Sequence, residues 1–174
     1  MPLPKRKVSG SDYLVNICTI ETMVTPPFIL SPDNEIVSSR IVDAAIDLVF
    51  EACANPSHLE NWWGPAGFTN TFEEFDFRPG GRWKFIMHGP DKGNYQNECI
   101  FSEIIYPKLI TWDRLSKPLF RMELSLTDIA PGKTKFGFRM IFSTAEECNK
   151  IKSVVMDKNE ENFDRLEREL KTMI

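Results

Sequence analysis

Residues 59–89 have the sequence LENWWGPAGFTNTFEEFDFRPGGRWKFIMHG and contain the strongest structural signals in the chain. Within them, residues 78–82 are Arg-Pro-Gly-Gly-Arg. This order places proline where φ near about −65° is needed and glycine where φ must be positive. Aromatic-rich extended segments lie on both sides of the turn. We therefore predict a β-hairpin that reverses through a type II turn at Pro79 and Gly80.

Alternating apolar and polar residues extend the predicted sheet on both sides of this hairpin. Phe68 and Phe72 occupy even-numbered positions, whereas Phe75 and Phe77 occupy odd-numbered ones. All four can face the same side of the sheet only if one extra residue is inserted, so a β-bulge is expected at Glu73-Glu74. Neighbouring strands joined by short turns predict an antiparallel meander. Its further segments are residues 82–88, 98–106, 109–114, 120–126 and 136–142.

Before the hairpin, the pattern indicates one strand and two helices. A first strand is predicted at residues 35–42, followed by Asp43 as the cap of a helix over residues 44–54. Asn55-Pro56 then supplies a cap and a first helical residue for a short second helix.

After the meander, the pattern indicates one long helix. The capping box Ser143-Thr144-Ala145-Glu146 begins an amphipathic helix that runs to the C-terminus, with an interruption expected near Met156-Asp157. Val155, Phe163, Leu166 and Leu170 form its apolar stripe. Strands followed by a segregated helix predict an α+β fold with a curved sheet and a long C-terminal helix.

Composition and motifs argue against several functional classes. A net charge of −4 gives no electrostatic basis for binding nucleic acid or an anionic membrane, so neither partner is expected. The four dispersed cysteines favour buried thiols in a reduced cytoplasm, which predicts a cytoplasmic protein. With two histidines and no metal-ligand, nucleophile-elbow, phosphate-loop or dinucleotide motif, we predict no metal, no cofactor and no catalytic residue.

The first residues differ from the remainder of the chain. Residues 1–33 contain five prolines and are expected to form an N-terminal arm, in which residues 13–20 would pair as an extra edge strand or lie across the surface. Residues 34–174 are long enough to bury one core and are predicted to form a single domain.

The order of motifs resembles a known family. The chain from about residue 35 to residue 170 resembles the activator-of-Hsp90-ATPase-like family, a branch of the START/Bet v 1-like (SRPBCC) superfamily with the helix-grip fold. The residues that carry the resemblance are Asn55-Pro56, Leu59, Trp62-Trp63-Gly64-Pro65, Gly67-Phe68, Glu74-Phe75-Asp76, residues 78–83, Gly89-Pro90-Asp91, Asn97-Glu98 and Leu166.

The resemblance implies a curved antiparallel sheet wrapped around the long C-terminal helix, with a cavity between them. The chain departs from the family pattern in two places. Ala45 stands where the family usually has proline, and Lys158-Asn159 stands where it tends to have Gly-Trp. The second departure falls on the helix expected to line the cavity, so relatives do not identify the ligand.

The predicted function is binding of a small hydrophobic or aromatic ligand in this cavity. Methionine and aromatic side chains form adaptable apolar walls, and a few polar groups orient a ligand. The candidate polar anchors are Glu98, Arg114 and Asn159. The candidate wall residues are Trp63, Phe85, Met87, Met122, Phe138, Met140 and Phe163.

Two candidate features have a structural alternative. Trp62, Trp63 and Trp83 are interpreted mainly as packing residues, with an aromatic ligand platform as the second interpretation. Asn159 lies near the centre of the apolar stripe of the last helix. It would either hydrogen-bond a ligand or be a bonded core amide, and replacing it with leucine is expected to stabilise a dry cavity.

Other functions stay open at the level of sequence. The family takes its name from a eukaryotic co-chaperone, which implies an Hsp90-type partner as one alternative. A cyclase, dehydratase or hydrolase of the same superfamily is another, although we favour a protein that is not an enzyme. Catalysis would require converging polar groups, such as Glu98 near Arg114 or His88. The family also often pairs subunits, so a homodimer is a further expectation.

Overall fold

A computed structural model describes Phe28 and residues 30–174 of the 174-residue chain. The edge strand considered for residues 13–20 lies outside the described residues. In chain order, the strands and helices are β1 (Glu35–Val42), α1 (Ile46–Ala54), α2 (Pro56–Trp62), β2 (Thr69–Phe75), β3 (Arg82–His88), β4 (Asn94–Ile105), β5 (Leu109–Arg114), β6 (Phe120–Ala130), β7 (Lys133–Phe142) and α3 (Ala145–Thr172). A short 3-10 turn at Pro32–Asn34 precedes β1.

All seven strands form one antiparallel sheet in the order β1-β7-β6-β5-β4-β3-β2. Irregularities in β2, β4 and β6 shift the register, and such bulges bend strands and increase their twist. The curved sheet wraps around α3, while α1 and α2 connect β1 to β2. The predicted α+β helix-grip fold is confirmed.

The hairpin predicted from residues 78–82 joins β2 to β3. Gly81 N donates to Arg78 O over 2.8 Å, and Gly80 has a φ of +80°, as a type II turn requires. The register between β2 and β3 shifts between Phe72 and Glu74, which confirms the predicted bulge. The bulge turns Phe72 and Phe75 toward the same aromatic cluster, where their rings stack at 5.8 Å.

The helix starts differ from the predictions. α1 begins at Ile46 with Ala45 in the capping position and no side-chain cap, so Asp43 is not its cap. Asp43 instead binds Lys133, near the start of β7. For α2, the predicted cap is present, since Asn55 accepts a hydrogen bond from Ser57 N.

The long helix starts one residue later than predicted and is continuous. Thr144 is the cap of α3 and accepts from Glu147 N over 3.2 Å, whereas the prediction placed the cap at Ser143. The interruption expected near Met156-Asp157 is absent, because α3 is helical from Ala145 to Thr172. Among the described residues, no helix combines the length and apolar character needed to cross a membrane.

The two halves of α3 have different environments. The C-terminal half contributes Phe163, Leu166 and Leu170 to the core, where each is nearly fully buried. Arg40 of β1 joins this half to the sheet by ion pairs with Glu160 at 2.6 Å and Asp164 at 2.5 Å. The N-terminal half lies above the concave face of the sheet without filling the space beneath it, and that space is the candidate site.

Candidate functional site

A cavity of about 410 Å³ lies between the concave face of the sheet and the N-terminal half of α3. Strands β3, β5, β6 and β7 supply aromatic and thioether side chains to it, and α3 supplies aliphatic ones. Its apolar lining includes Trp63, Phe85, Met87, Trp112, Phe120, Met122, Met140, Ile151 and Val155. Such a lining suits an apolar ligand, because aromatic rings offer large contact areas and methionines adapt their shape.

Seven of the ten candidate residues line this cavity. Six come from β3, β5, β6, β7 and α3, and the seventh directly follows α2, so the fold brings them together. The seven are Trp63, Phe85, Met87, Arg114, Met122, Met140 and Asn159. The other three, Glu98, Phe138 and Phe163, are not among the residues that line it.

Glu98 lies on the opposite face of β4 from the cavity, so its predicted place as a cavity anchor is corrected. In the register of β3 with β4, Phe85 pairs with Asn97 and Lys84 pairs with Glu98. Asn97 therefore shares the inward face with Phe85, and Glu98 forms an ion pair with Arg82. The inward position of Asn97 could have been predicted from the sequence, because counting residues outward from the turn at residues 89–93 places Asn97 opposite Phe85.

Phe138 and Phe163 lie in the core beside the cavity and not on its wall. Both are fully buried, and their ring centroids are 4.9 Å apart. The guanidinium of Arg40 lies over the Phe163 ring at 5.4 Å. The predicted wall role of these two residues is corrected, because together they fill the space under the C-terminal half of α3.

The tryptophans divide between packing and lining. Trp62 and Trp83 are fully buried, and Trp62 Nε1 donates to Ala52 O over 2.8 Å. Trp63 packs edge-on against Trp112 at 5.4 Å and also lines the cavity. Packing is therefore the role of the first two, whereas Trp63 has both roles.

Arg165 holds the segment that carries Trp63. Its Nη1 donates to Gly64 O over 2.8 Å and to Pro65 O over 2.9 Å, and its Nη2 donates to Asn61 O over 2.7 Å. Carbonyl groups at the end of α2 have no partner within the helix, so a guanidinium fork can satisfy several at once. This clamp attaches one wall of the cavity to α3.

Sequence reasoning missed most of the α3 side of the cavity. Ile151, Val154, Val155 and Asn162 line it, although Val154 is otherwise 61% exposed. The helical periodicity indicated an apolar stripe from Val155 to Leu170 but not that the sheet diverges from the N-terminal half of α3. Only the tertiary arrangement shows that these residues face a cavity.

The polar groups in the lining differ in how well they are bonded. Asn159 Nδ2 donates to Ser38 Oγ over 3.2 Å. Asn162 Oδ1 is buried and has no hydrogen-bond partner among the described residues. Arg114 Nε donates to Ser116 Oγ over 3.1 Å, and the guanidinium lies 5.5 Å from the centroid of the Phe120 ring. Burial lowers the pKa of Arg114 from its ordinary value.

The described lining contains no aspartate, glutamate or histidine. Cys99 also lines the cavity, but burial raises the pKa of its thiol to about 12. The pairing of Glu98 with Arg114 or His88 that catalysis would require is not formed, since Glu98 binds Arg82 and His88 contacts Thr71 and Asn94. No cluster of metal-ligating side chains occurs in the part of the chain that the structure describes.

Comparison with protein families gives one match that covers most of the chain. The sequence model of the "Activator of Hsp90 ATPase homolog 1-like protein" family matches residues 43–171. This range contains β2 to β7 and nearly all of α3, and hence every element that lines the cavity. A search of curated proteins finds no match.

Solved structures with this fold come from several bacteria. A protein from Nitrosomonas europaea superposes with a TM-score of 0.76 at 19% identity, over 83% of this chain and 98% of that one. A protein from Arthrobacter aurescens gives 0.74 at 20% identity, over 80% and 87%. The AHSA1 protein from Silicibacter pomeroyi gives 0.67 at 14% identity, over 80% and 99%. At these identities, the likeness establishes the fold alone.

Proposed function

The chain belongs to the activator of Hsp90 ATPase homolog 1-like family, and we propose that it binds a small, largely apolar molecule in the cavity between the sheet and α3. The observation that carries this proposal is the cavity of about 410 Å³ lined by aromatic, thioether and aliphatic side chains. Ligand sites commonly have volumes of about 300–1,000 Å³, an apolar lining and a few polar groups that orient the ligand.

The composition of the walls supports a ligand with a flat or flexible apolar body. Trp63, Trp112 and Phe85 offer ring faces and edges, while Met87, Met122 and Met140 can change rotamer around a bound molecule. Asn97, Arg114, Asn159 and Asn162 are the polar side chains that could orient it.

The enzyme alternative has less support than binding. The lining that the structure describes offers no carboxylate or imidazole to transfer a proton near neutral pH, and Glu98 lies on the other face of the sheet. The co-chaperone alternative rests on the family description and on no described surface feature. An Hsp90-type partner, a homodimer, a cytoplasmic location and the division into residues 1–33 and 34–174 stay predictions.

The test uses N-phenyl-1-naphthylamine, a neutral probe whose fluorescence rises in apolar surroundings. We expect saturable binding to the full chain at one site per molecule. Val155→Trp should reduce the affinity at least about tenfold, because Val155 lines the cavity and the indole would occupy space that the probe needs.

The matched control is Met156→Trp on the next residue of the same helix. Met156 is 45% exposed and does not line the cavity, so this variant should bind the probe as the unmodified chain does. Equal loss in both variants, or no saturable binding to the unmodified chain, would refute the proposal. Native mass spectrometry of gently purified protein complements this test by naming any molecule that co-purifies.

A further inference from the structure

We infer that the ligand of this cavity carries an anionic oxygen group, such as a carboxylate, and that Arg114 binds it. This inference rests on the proposed function and specifies the chemical class of the ligand. An apolar acid would place its body among the aromatic and methionine side chains and its charge against the guanidinium.

Arg114 is a cation in the cavity lining that has no ionic partner among the described residues. It continues the inward-facing series Ile110 and Trp112 at the end of β5 and pairs in register with Cys99 of β4. Its described contacts are the Ser116 hydroxyl and the Phe120 ring, neither of which carries a negative charge. No carboxylate among the described residues lies within 4.0 Å of its guanidinium nitrogens.

Arginines elsewhere on the sheet have carboxylate partners. Arg121 binds Asp113 at 2.7 Å, and Arg139 binds Glu35 at 2.6 Å. Asp113 is adjacent to Arg114 in sequence but faces the opposite side of β5, where Arg121 holds it. The strand alternation therefore separates Arg114 from the nearest carboxylate along the chain.

An unpaired charge in a partly buried site carries a desolvation cost that a counter-ion would offset. Burial lowers the pKa of Arg114, which is consistent with this cost. Arginine stays protonated nonetheless, and its planar fork matches the two oxygens of a carboxylate. The ligand is then the source of the missing counter-ion.

All charged residues in the described lining of the cavity are cationic. Arg114, Lys150 and Lys158 are the charged residues in its described lining. Lys150 pairs with Glu146 at 2.9 Å and Lys158 with Glu161 at 2.8 Å, so the two lysines already have carboxylate partners on α3. Arg114 is thus the cation of the described lining that is left for a ligand, and no carboxylate of that lining would repel an anion.

The competing explanation is that water at the mouth of the cavity solvates the guanidinium and that the ligand is neutral. The experiment separates the two explanations by competition against N-phenyl-1-naphthylamine. The competitors are 2-naphthoate and 2-naphthamide, which have the same ring system and nearly the same shape but differ in charge. We expect 2-naphthoate to compete about tenfold better or more, as a charge-assisted hydrogen bond would give.

Substitutions at Arg114 and Arg168 test whether Arg114 causes this preference. Arg114→Met should remove the preference for 2-naphthoate while the neutral probe still binds, because methionine keeps an apolar stem and loses the charge. Arg168→Met is the matched control: it makes the same change at an exposed residue of α3 outside the cavity, and should keep the preference. Arg114→Gln provides a second, polar variant for the case in which Arg114→Met does not fold.

The outcomes separate this inference from the function on which it rests. If the neutral probe does not bind to the unmodified chain, the proposed function fails. If the probe binds but 2-naphthoate competes no better than 2-naphthamide, the anion inference is overturned and the proposed function stands. A preference that survives in both Arg114 variants would likewise overturn it.

Discussion

Asn159 and Asn162 lie three residues apart on α3 and both line the cavity, yet they differ in their hydrogen bonds. The sequence pattern indicated Asn159 as the amide at the centre of the apolar stripe. The structure gives Asn159 a partner in Ser38 and leaves Asn162 Oδ1 buried without one among the described residues. The unsatisfied amide is therefore Asn162, and this changes which substitution should stabilise the protein.

Asn162→Leu should raise the free energy of unfolding of the ligand-free protein by about 1 kcal/mol, because it removes an unpaired buried acceptor. Asn159→Leu should lower it by about the same amount, because it leaves the Ser38 hydroxyl without its donor. Urea unfolding followed by circular dichroism measures both. Stabilisation by Asn159→Leu, the result that sequence alone suggested, would contradict this assignment.

Cys99 makes stability depend on pH in the alkaline range. Burial raises the pKa of its thiol from 9.0 to about 12. Above pH 9, the thiol ionises in the unfolded chain but stays protonated in the folded one, so the unfolded state binds fewer protons. The free energy of unfolding must then fall as pH rises, with a contribution from Cys99 on the order of 2 kcal/mol at about pH 10.5.

The comparison is urea unfolding of the unmodified chain and of Cys99→Ala at about pH 7.5 and about pH 10.5. The variant should start less stable, because it loses buried volume, but should lose less stability on going to the higher pH. Cys53 and Cys148 are present in both proteins, so the difference in pH dependence isolates Cys99. An identical loss would show that this thiol does not keep its proton in the folded state.

At the scale of elements, the turn between β2 and β3 also fixes the position of β4. Gly80 N donates to Phe101 O over 2.7 Å, and Phe101 N donates to Gly81 O over 3.0 Å. The two glycines differ in what an added methyl group would meet. Nothing lies within 4 Å of a Cβ at Gly80, whereas a Cβ at Gly81 would lie 1.9 Å from Asp76 O.

Gly80→Ala should lower the free energy of unfolding by about 1–2 kcal/mol, because its φ of +80° strains a side chain even in open space. Gly81→Ala should cost about 3 kcal/mol or more, because the clash is with backbone that cannot move aside freely. Thermal unfolding of both variants provides the test. Equal effects would mean that the contact with Asp76 O makes Gly81→Ala no more costly than the strained φ makes Gly80→Ala.

α3 shows how one element can serve two purposes. Its C-terminal half closes the core with Phe163, Leu166 and Leu170, and its N-terminal half forms one side of the cavity with Ile151 and Val155. Helical periodicity predicts the apolar stripe in both halves, because the same spacing serves either environment. What differs is the distance to the sheet, which is a property of the assembled fold.

For the molecule as a whole, aromatic side chains mostly fill the interior and only partly line the cavity. Trp83 is surrounded by rings with centroids between 4.3 and 6.1 Å away, and these rings belong to Trp63, Phe72, Phe75, Phe85, Phe101 and Trp112. Such a cluster forms a rigid core beside the cavity.

Ligand binding should stabilise the whole molecule, because a ligand of the folded state draws the equilibrium away from the unfolded chain. At a free concentration of N-phenyl-1-naphthylamine about 100 times its Kd, the stabilisation should be about 2.7 kcal/mol. For a chain of this length, the midpoint of thermal unfolding should then rise by about 5–10 °C. Calorimetry measures the shift, which should be reduced in Val155→Trp at the same probe concentration; an unchanged shift there would place the probe outside the cavity.

The fold and many of the residues that meet in the cavity could be predicted from the amino-acid sequence. The turn at residues 78–82, the bulge at Glu73-Glu74 and the strand at residues 35–42 follow from local backbone preferences and side-chain alternation, which act between near neighbours. Methionines and aromatics on the inward parity, such as Phe85 and Met122, were found in the same way.

Which polar groups of the cavity already have partners follows from tertiary contacts. Asn159 of α3 is already bonded because Ser38 of β1 lies beside it. Asp113 pairs with Arg121, so Arg114 has no carboxylate partner in the described part of the chain. These outcomes depend on how side chains of different strands and helices meet, and the pattern within one element does not encode such contacts.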